Sequence, residues 1–338
     1  MSCIFNINRY LIPNDVIVTL MEIYKHIGKN DTFINTVGVD INRIIDQTIE
    51  RDSYFLAKIM NLDITNTRMR LIITKNSEPR LNNEIILYNI KELLTSFQLK
   101  HKDMGTKSND LINMANFVDE KKNIKFDYLH TDKKHILKSQ NMRSKRIHLD
   151  EINDEVTRIM DKGLYDPIVL YLHYFIDFIN YQPFTSNNEL TSYLLIYLLL
   201  LKADVYAFRF VSFFELLYDN FEEFETELKK ASFNWNEGFS QTLEFVRFMT
   251  KLILKAYHNT NEVIKIYEFD RSINKANNIE NTILKLPEIF TKEEIRINHP
   301  FVSESTINRT LSKLRDEKVI KPLGKGRSAK WIKISSEA

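Results

Sequence analysis

The stretch 171–201, YLHYFIDFINYQPFTSNNELTSYLLIYLLLL, constrains the fold more than any other part of the chain. It holds two apolar runs on either side of a short polar turn. In the first, Leu172, Phe175, Ile176 and Ile179 fall at helical spacing; the second is nearly all Leu, Ile and Tyr. A helix apolar on every side has no face for water and belongs inside a domain. The second run, closed by Lys202 and Asp204, is too short to span a bilayer and predicts a core helix. In the turn, Asn187 or Asn188 is placed to cap the second helix, leaving its first backbone N–H groups free to meet an anion.

With 338 residues the chain is long enough for two or three domains and at least one large core. Seven Gly and seven Pro are few for this length, which favours a mainly helical protein. A net charge of +2 argues against a chain that is basic throughout. The one cysteine, Cys3, has no partner for an internal disulfide, and no cysteine cluster is available to hold zinc. A reducing cytoplasm is therefore the expected compartment. The opening MSCIFNINRYLIPND lacks a basic segment followed by an apolar run, so neither a signal peptide nor a membrane partner is expected.

Periodicity predicts helices over 14–28, 40–60, 83–99, 149–161, 208–230 and 239–257, with a polar loop over 101–110. Ile124, Phe126 and Tyr128 alternate with Lys125 and Asp127, which predicts a strand of a small hairpin. Around them Lys121, Lys122, Lys125, Lys133, Lys134, Lys138, Arg143, Lys145 and Arg146 form a basic run, taken as a solvated surface in preference to an anion-binding rim. Asp166 and Pro167 suit the cap and first turn of the first central helix. His173, two and a half turns before Gln182, is read as a core or half-buried histidine. The polar, Asn-rich segment 258–280 predicts a linker helix or loop.

The turn and its flanking helices resemble the Fic family. Against the family motif His-Pro-Phe-x-Asp/Glu-Gly-Asn-Gly-Arg-x-x-Arg, residues 182–193 run Gln-Pro-Phe-Thr-Ser-Asn-Asn-Glu-Leu-Thr-Ser-Tyr. Pro183, Phe184 and Asn188 match. Gln182 replaces the general-base His, Ser186 the metal-binding acid, and Leu190 and Tyr193 the two Arg. The resemblance implies a helical domain with a hairpin flap, over which a target segment docks by strand addition. It also implies transfer of AMP from ATP to a protein hydroxyl, with Mg²⁺ on the phosphates. Gln182 cannot take a proton near neutral pH. Ser186 is a poor lone ligand for Mg²⁺. Losing both Arg removes stabilisation of the transition-state charge. Many members carry an inhibitory Ser-x-x-x-Glu-Gly helix; its best match here, residues 56–61, has Met60 in place of the Glu and is read as a plain packed helix. Trp235 falls where Fic domains often place a Trp before a closing helix.

From 281 the composition changes: twelve Lys and Arg face seven Asp and Glu, a net of +5. Helices are predicted over 283–290, from Thr291 with Glu294 as a capping box, and over 303–314. Strands follow at 318–320 and 330–334, joined by a basic Gly-Lys-Gly-Arg-Ser turn. This order resembles a winged helix-turn-helix, a domain with which many Fic proteins end. There the third helix enters the major groove, so Ser305, Thr306, Asn308, Arg309 and Lys313 are the candidate DNA contacts, with Lys325 and Arg327 at the wing tip.

The expected architecture is mainly α: an N-terminal helical region over 1–100, a Fic-like core with flap and altered loop over 101–257, a linker over 258–280, and a winged helix-turn-helix over 281–338. The expected function is a non-catalytic or weakly active regulator or adaptor that binds DNA. Its motif positions are Gln182, Pro183, Phe184, Ser186, Asn188 and Glu189; Asn187 and Asn188 are the candidates to meet a nucleotide. No metal or cofactor is expected. The alternative is a protein adenylyltransferase, or a related transferase of altered chemistry, using ATP and Mg²⁺, with Glu189 as base or ligand. DNA and a protein at the flap are the expected partners, and a homodimer is compatible with the sequence.

Overall fold

The computed structural model describes residues 2–130, 142–272, 279–280, 282–284, 286–299, 302–324 and 329–334. It divides into two units, Met1–Asn261 and Glu262–Ala338.

The first unit opens with a 3-10 helix, Ile4–Arg9, followed by α1 (Asn14–Ile27), α2 (Asn30–Val37), α3 (Ile41–Ile59), α4 (Asn66–Lys75), α5 (Asn82–Lys100) and α6 (Ser108–Val118). The hairpin β1 (Tyr128–His130) and β2 (Met142–Ser144) comes next, then α7 (Lys145–Asp161), α8 (Pro167–Tyr181), α9 (Asn188–Lys202), α10 (Phe213–Asp219), α11 (Phe221–Ser232) and α12 (Leu243–Ser272), whose residues from Glu262 on fall in the second unit. The core is the pair α8 and α9. Every residue from Leu190 to Leu201 is buried, as is every residue from Ile168 to Phe178. Each large apolar side chain so buried contributes about 1.5–3 kcal/mol before chain entropy is charged against it. The two helices pack on each other; α5 and α6 meet α9, while α7, α11 and the first 3-10 helix meet or flank α8. Asp166 caps α8 by accepting the Val169 N–H at 2.9 Å, with Pro167 in the first turn.

Several elements differ from expectation. Helices α2 and α4 are short, 8 and 10 residues, and periodicity did not single them out. Residues 101–110 are only partly loop, because α6 begins at Ser108. The single helix expected over 208–230 is broken: Ser212 caps α10 through the Glu215 N–H at 3.0 Å, and Asn220 separates α10 from α11. Of the linker helix or loop expected over 258–280, the part to Ser272 is helix, a continuation of α12. Met60 ends α3, with Leu56 and Ala57 fully buried behind it, so this stretch packs as an ordinary core helix.

A buried acid ties the N-terminal helices to the core. Asp52 on α3 accepts from Ser212 Oγ at 2.6 Å, the Phe214 N–H at 2.9 Å and the Tyr197 hydroxyl at 3.0 Å. Gln98 on α5 donates to the same Tyr197 oxygen at 2.7 Å. One network thus links α3, α5, α9 and α10.

In the second unit, β3 (Ile289–Thr291) leads into α13 (Lys292–Asn298) and α14 (Glu304–Asp316), followed by β4 (Ile320–Pro322) and β5 (Lys330–Lys333). The strands form an antiparallel sheet in the order β3-β5-β4, with Phe290 opposite Trp331 and Lys321 opposite Ile332. Phe290, expected in a helix, therefore lies in a strand. Residues 282–284 are helical. Thr291 and Glu294 form the expected capping box on α13. Ile283, Phe290, Ile295, Ile307, Leu311 and Trp331 share one core. Among the described residues no helix is long and apolar enough to cross a membrane.

Burial pushes the Asp52 carboxyl up to about 7 from its ordinary 3.8, while its three donors oppose the shift. The folded state therefore holds an extra proton between those values. The stability this confers is complete below about pH 4 and is lost as pH rises through 7. Chemical denaturation at pH 5 and pH 8 tests this. Asp52→Asn, which keeps an acceptor for Ser212 and Phe214, is expected to lose less stability between the two than the parent by on the order of 2–3 kcal/mol. Identical losses would remove Asp52 as the source.

Candidate functional site

The loop between α8 and α9 is built from backbone-directed contacts. Gln182 ends α8 in the left-handed region, φ 48°, its N–H still on the Phe178 carbonyl at 3.1 Å. A non-glycine residue there costs about 1 kcal/mol, and Pro183 bars any continuation of the helix. Phe184 then turns inward, fully buried, its ring 5.8 Å from Phe178 and 5.4 Å from Phe126.

Residues 125–127 run antiparallel to this loop. The Asp127 N–H donates to the Pro183 carbonyl and the Thr185 N–H to the Lys125 carbonyl, both at 2.9 Å. The strand expected over 124–128 is thus divided. Its first part pairs with the loop, and Tyr128 begins the hairpin, opposite Ser144. The segment 131–141, with Lys133, Lys134 and Lys138, lies outside the described residues.

Asn188 closes the loop from within. Its Oδ1 accepts the Phe184 N–H at 2.9 Å and its Nδ2 donates to the Phe184 carbonyl at 2.7 Å. Neither Asn caps α9 through its side chain. Asn187 occupies the N-cap position in the left-handed region, φ 59°, and its Nδ2 reaches Asp119 at 3.4 Å. Asn is among the few side-chain-bearing residues that adopt this conformation readily.

Lys145, at the start of α7, clamps the other end. Its ammonium bonds the Gln182 carbonyl at 3.0 Å and Asp127 at 2.9 Å, and its own carbonyl accepts the Tyr181 hydroxyl at 3.0 Å. Burial pushes that phenol up to about 12, so it stays a donor. Three more cations of the basic run are paired. Lys122 pairs with Asp119, Arg143 with Glu151 and Arg146 with Asp150.

The motif positions divide by exposure. Gln182, Thr185 and Glu189 are exposed and Ser186 is half-buried. Leu190, at the place of the first Arg, is 4% exposed, and Tyr193, at the place of the second, 2%. Tyr193 stands 6.5 Å from Phe175 and 6.0 Å from Phe224, ring to ring, and burial pushes its hydroxyl well up. Both positions belong to the core. For Mg²⁺ the residues do not fit. Ser186 offers no charge, Glu189 brings one exposed carboxylate, and the other carboxylate that reaches the loop, Asp119, is 1% exposed, held by Lys122 and Asn187, with its Oδ1 buried and unpartnered. Among the described residues no three His, Cys, Asp or Glu side chains gather into a metal site.

His173 is buried away from the loop. Its Nδ1–H faces the Val169 carbonyl at 2.8 Å, which leaves Nε2 to accept from the Thr242 hydroxyl at 3.0 Å. Burial holds the ring neutral.

In the second unit Ser303 caps α14 through the Thr306 N–H at 3.3 Å and also bonds the Thr306 hydroxyl at 2.8 Å. Ser305 and Arg309 are exposed, and among the described residues no carboxylate pairs with Arg309. Asn308 is half-buried, with an unpartnered Oδ1. Lys313 is not the free donor expected, since Glu280 holds it at 2.7 Å. Lys325 and Arg327 lie outside the described residues. Sequence reading missed Lys145, Asp127 and Asp119 because each meets the loop across a large separation in sequence, with no local pattern to mark it.

Replacing Asn188 by Ala leaves both backbone groups of Phe184 without their partner. The expected cost is about 1–3 kcal/mol in chemical denaturation, with faster hydrogen exchange at the Phe184 amide. Unchanged exchange there would show that the pair contributes nothing.

No protein-family model and no curated protein matches this sequence. Solved structures do match the fold. A Fic family protein from Desulfovibrio desulfuricans G20 aligns over 97% of this chain and 98% of its own, with 12% identity and a TM-score of 0.54. A Fic domain-containing signaling protein from Bacteroides thetaiotaomicron VPI-5482 aligns over 72% and 98%, with 13% identity and a TM-score of 0.53. The mainly helical architecture around the buried pair α8 and α9, with its small hairpin, is therefore a Fic-like fold.

Proposed function

We propose that this Fic-fold protein carries out no AMP transfer and acts as a regulator or adaptor that binds DNA through its second unit. The observation that carries the first half is the burial of Leu190 and Tyr193. A triphosphate needs cations at these places, and here they are apolar core. Gln182 adds no base, Ser186 adds no charge, and Asn188 spends its whole amide on Phe184. No single substitution restores such a site.

Support for the second half comes from the C-terminal unit. Two helices followed by a hairpin give the element order of a winged helix-turn-helix, and the net charge over 281–338 is +5. Arg309 on α14 is the type that reads guanine, with Ser305 beside it. Lys318, Lys321 and Lys330 are exposed on or near the hairpin and suit phosphate. Lys313, being paired, contributes less.

Two measurements check the proposal. With ATP labelled on the α-phosphate, Mg²⁺ and cell lysate, the protein is expected to transfer no more label than a variant lacking residues 183–190, and Gln182→His alone is expected to change nothing. Label above that background would assign a working transferase, with Glu189 as the first candidate base. In fluorescence anisotropy with duplex DNA, affinity is expected to fall steeply with salt. Lys325→Ala with Arg327→Ala should lower the slope of log K against log salt by about 2, and Arg309→Ala should cost about 1–3 kcal/mol at a preferred site. Absence of salt-dependent binding would leave the unit as a protein-contact module.

A further inference from the structure

The sheet of the second unit departs from the alternation expected of an antiparallel sheet with one face in water, apolar inward and polar outward. Its inner face conforms: Phe290 of β3, Trp331 of β5 and Ile320 of β4 are all buried in one core. Successive side chains on a strand point to opposite faces, so the neighbours of these three look outward. The register sets Ile289 opposite Ile332, and Ile332 opposite Lys321. One step along, Thr291 stands opposite Lys330, whose carbonyl accepts the Leu323 N–H at 2.8 Å. In the other direction the Ile334 N–H donates to the Val319 carbonyl at 2.8 Å and extends the ladder past β5.

The outer face is therefore apolar where it should be polar. Ile289, Leu323 and Ile334 are 49%, 51% and 43% exposed, and Ile332 is half-buried between them. Ile289, Ile332 and Ile334 are contiguous, since cross-strand partners and next-but-one neighbours on a strand lie about 5–7 Å apart on one face. Lys321 and Lys330 border this patch. Both are exposed, and among the described residues neither is paired with a carboxylate. None of the outward positions is acidic. Apolar residues clustered on a surface and rimmed by charge mark a place where another molecule is received.

We propose that this face docks one amphipathic helix of another protein, its apolar residues on Ile289, Ile332 and Ile334 and its acidic flank over Lys321 and Lys330. Size and charge choose that occupant. Three strands span about 10 Å between the outer two, the width of one helix. The charges at the rim are both cations, so a second copy of this chain would bring four lysines into one interface with no acid on either face to meet them, whereas an acidic flank complements them. The face lies across the core from α14, because Ile307, Leu311 and Leu314 of that helix and Trp331 of the sheet enclose the same core. Docking there leaves Ser305 and Arg309 uncovered and does not depend on whether those residues meet DNA.

Fluorescence anisotropy of the full chain with three labelled helical peptides tests the assignment. The first carries Leu at i, i+3, i+4 and i+7 with Glu on both flanks; the second has Lys in place of the Glu; the third keeps the Glu and has Ser in place of the Leu. The first is expected to saturate with Kd below about 100 μM, and the other two to bind at least about tenfold more weakly. Ile289→Thr with Ile334→Thr is expected to weaken the first peptide about fivefold or more. Both residues are exposed and Thr keeps the β-branch, so the sheet is expected to form, with an unchanged Tm as the check. Lys321→Glu with Lys330→Glu should reverse the preference between Glu and Lys flanks, while Arg309→Ala leaves it unchanged. The proposal falls if the first peptide does not saturate by about 1 mM, if the Lys-flanked peptide binds as well, or if neither double substitution changes binding. It also falls if the chain sediments as a dimer that Ile289→Thr with Ile334→Thr dissociates, since the face would then belong to a second copy.

Discussion

A single buried carboxylate orders the centre of the first unit. Asp177 sits on α8 with no exposure, among residues that are otherwise almost all apolar. An anion there is tolerable only if donors replace its water. They come from far along the chain: the Cys3 N–H at 2.6 Å, the Ile4 N–H at 2.9 Å, the Ser2 hydroxyl, and the Trp235 indole N–H at 2.7 Å. The polar need of one side chain thus pins the start of the chain and the approach to α12 against the same helix. The arm carrying Arg9 and Tyr10 and the segment carrying Ser240 owe their positions to it. Removing the carboxylate would strand the donors as well as the arm.

Charge in the first unit is spent on structure. Lys122, Arg143, Lys145 and Arg146 each meet a carboxylate, and most of these pairs are partly exposed, where an ion pair contributes little to stability. Their effect is to cancel the field that a run of cations would otherwise present. Lys145 is the exception in kind. It is mostly covered, and it binds a backbone carbonyl as well as Asp127, so it shapes the loop directly.

Much of this was legible in the sequence, for identifiable reasons. The α8–α9 pair could be read because twelve consecutive buried residues leave a signal that no short element imitates. The capping box at Thr291 and the cap at Asp166 could be read because both are local. Pro183 and Phe184 marked the loop. What could not be read was the task of Asn188, which looks like a helix cap and instead bonds backward to Phe184. Nor could the pairing of residues 125–127 with 183–185, the clamp of Lys145 or the capture of Lys313 by Glu280, since each joins residues distant in sequence. Helices α2 and α4 lacked the length that makes periodicity visible.

The loop's geometry rests on Phe184, Asn188, Lys145, the Thr185 hydroxyl on the Lys125 N–H and backbone groups, while the side chains at 182 and 189 are exposed. Selection for a folded protein and selection for a reaction therefore act on different residues of one turn. A lineage can discard the chemistry of such a loop without passing through an unfolded intermediate, and keep the scaffold intact while its outward positions drift toward another use.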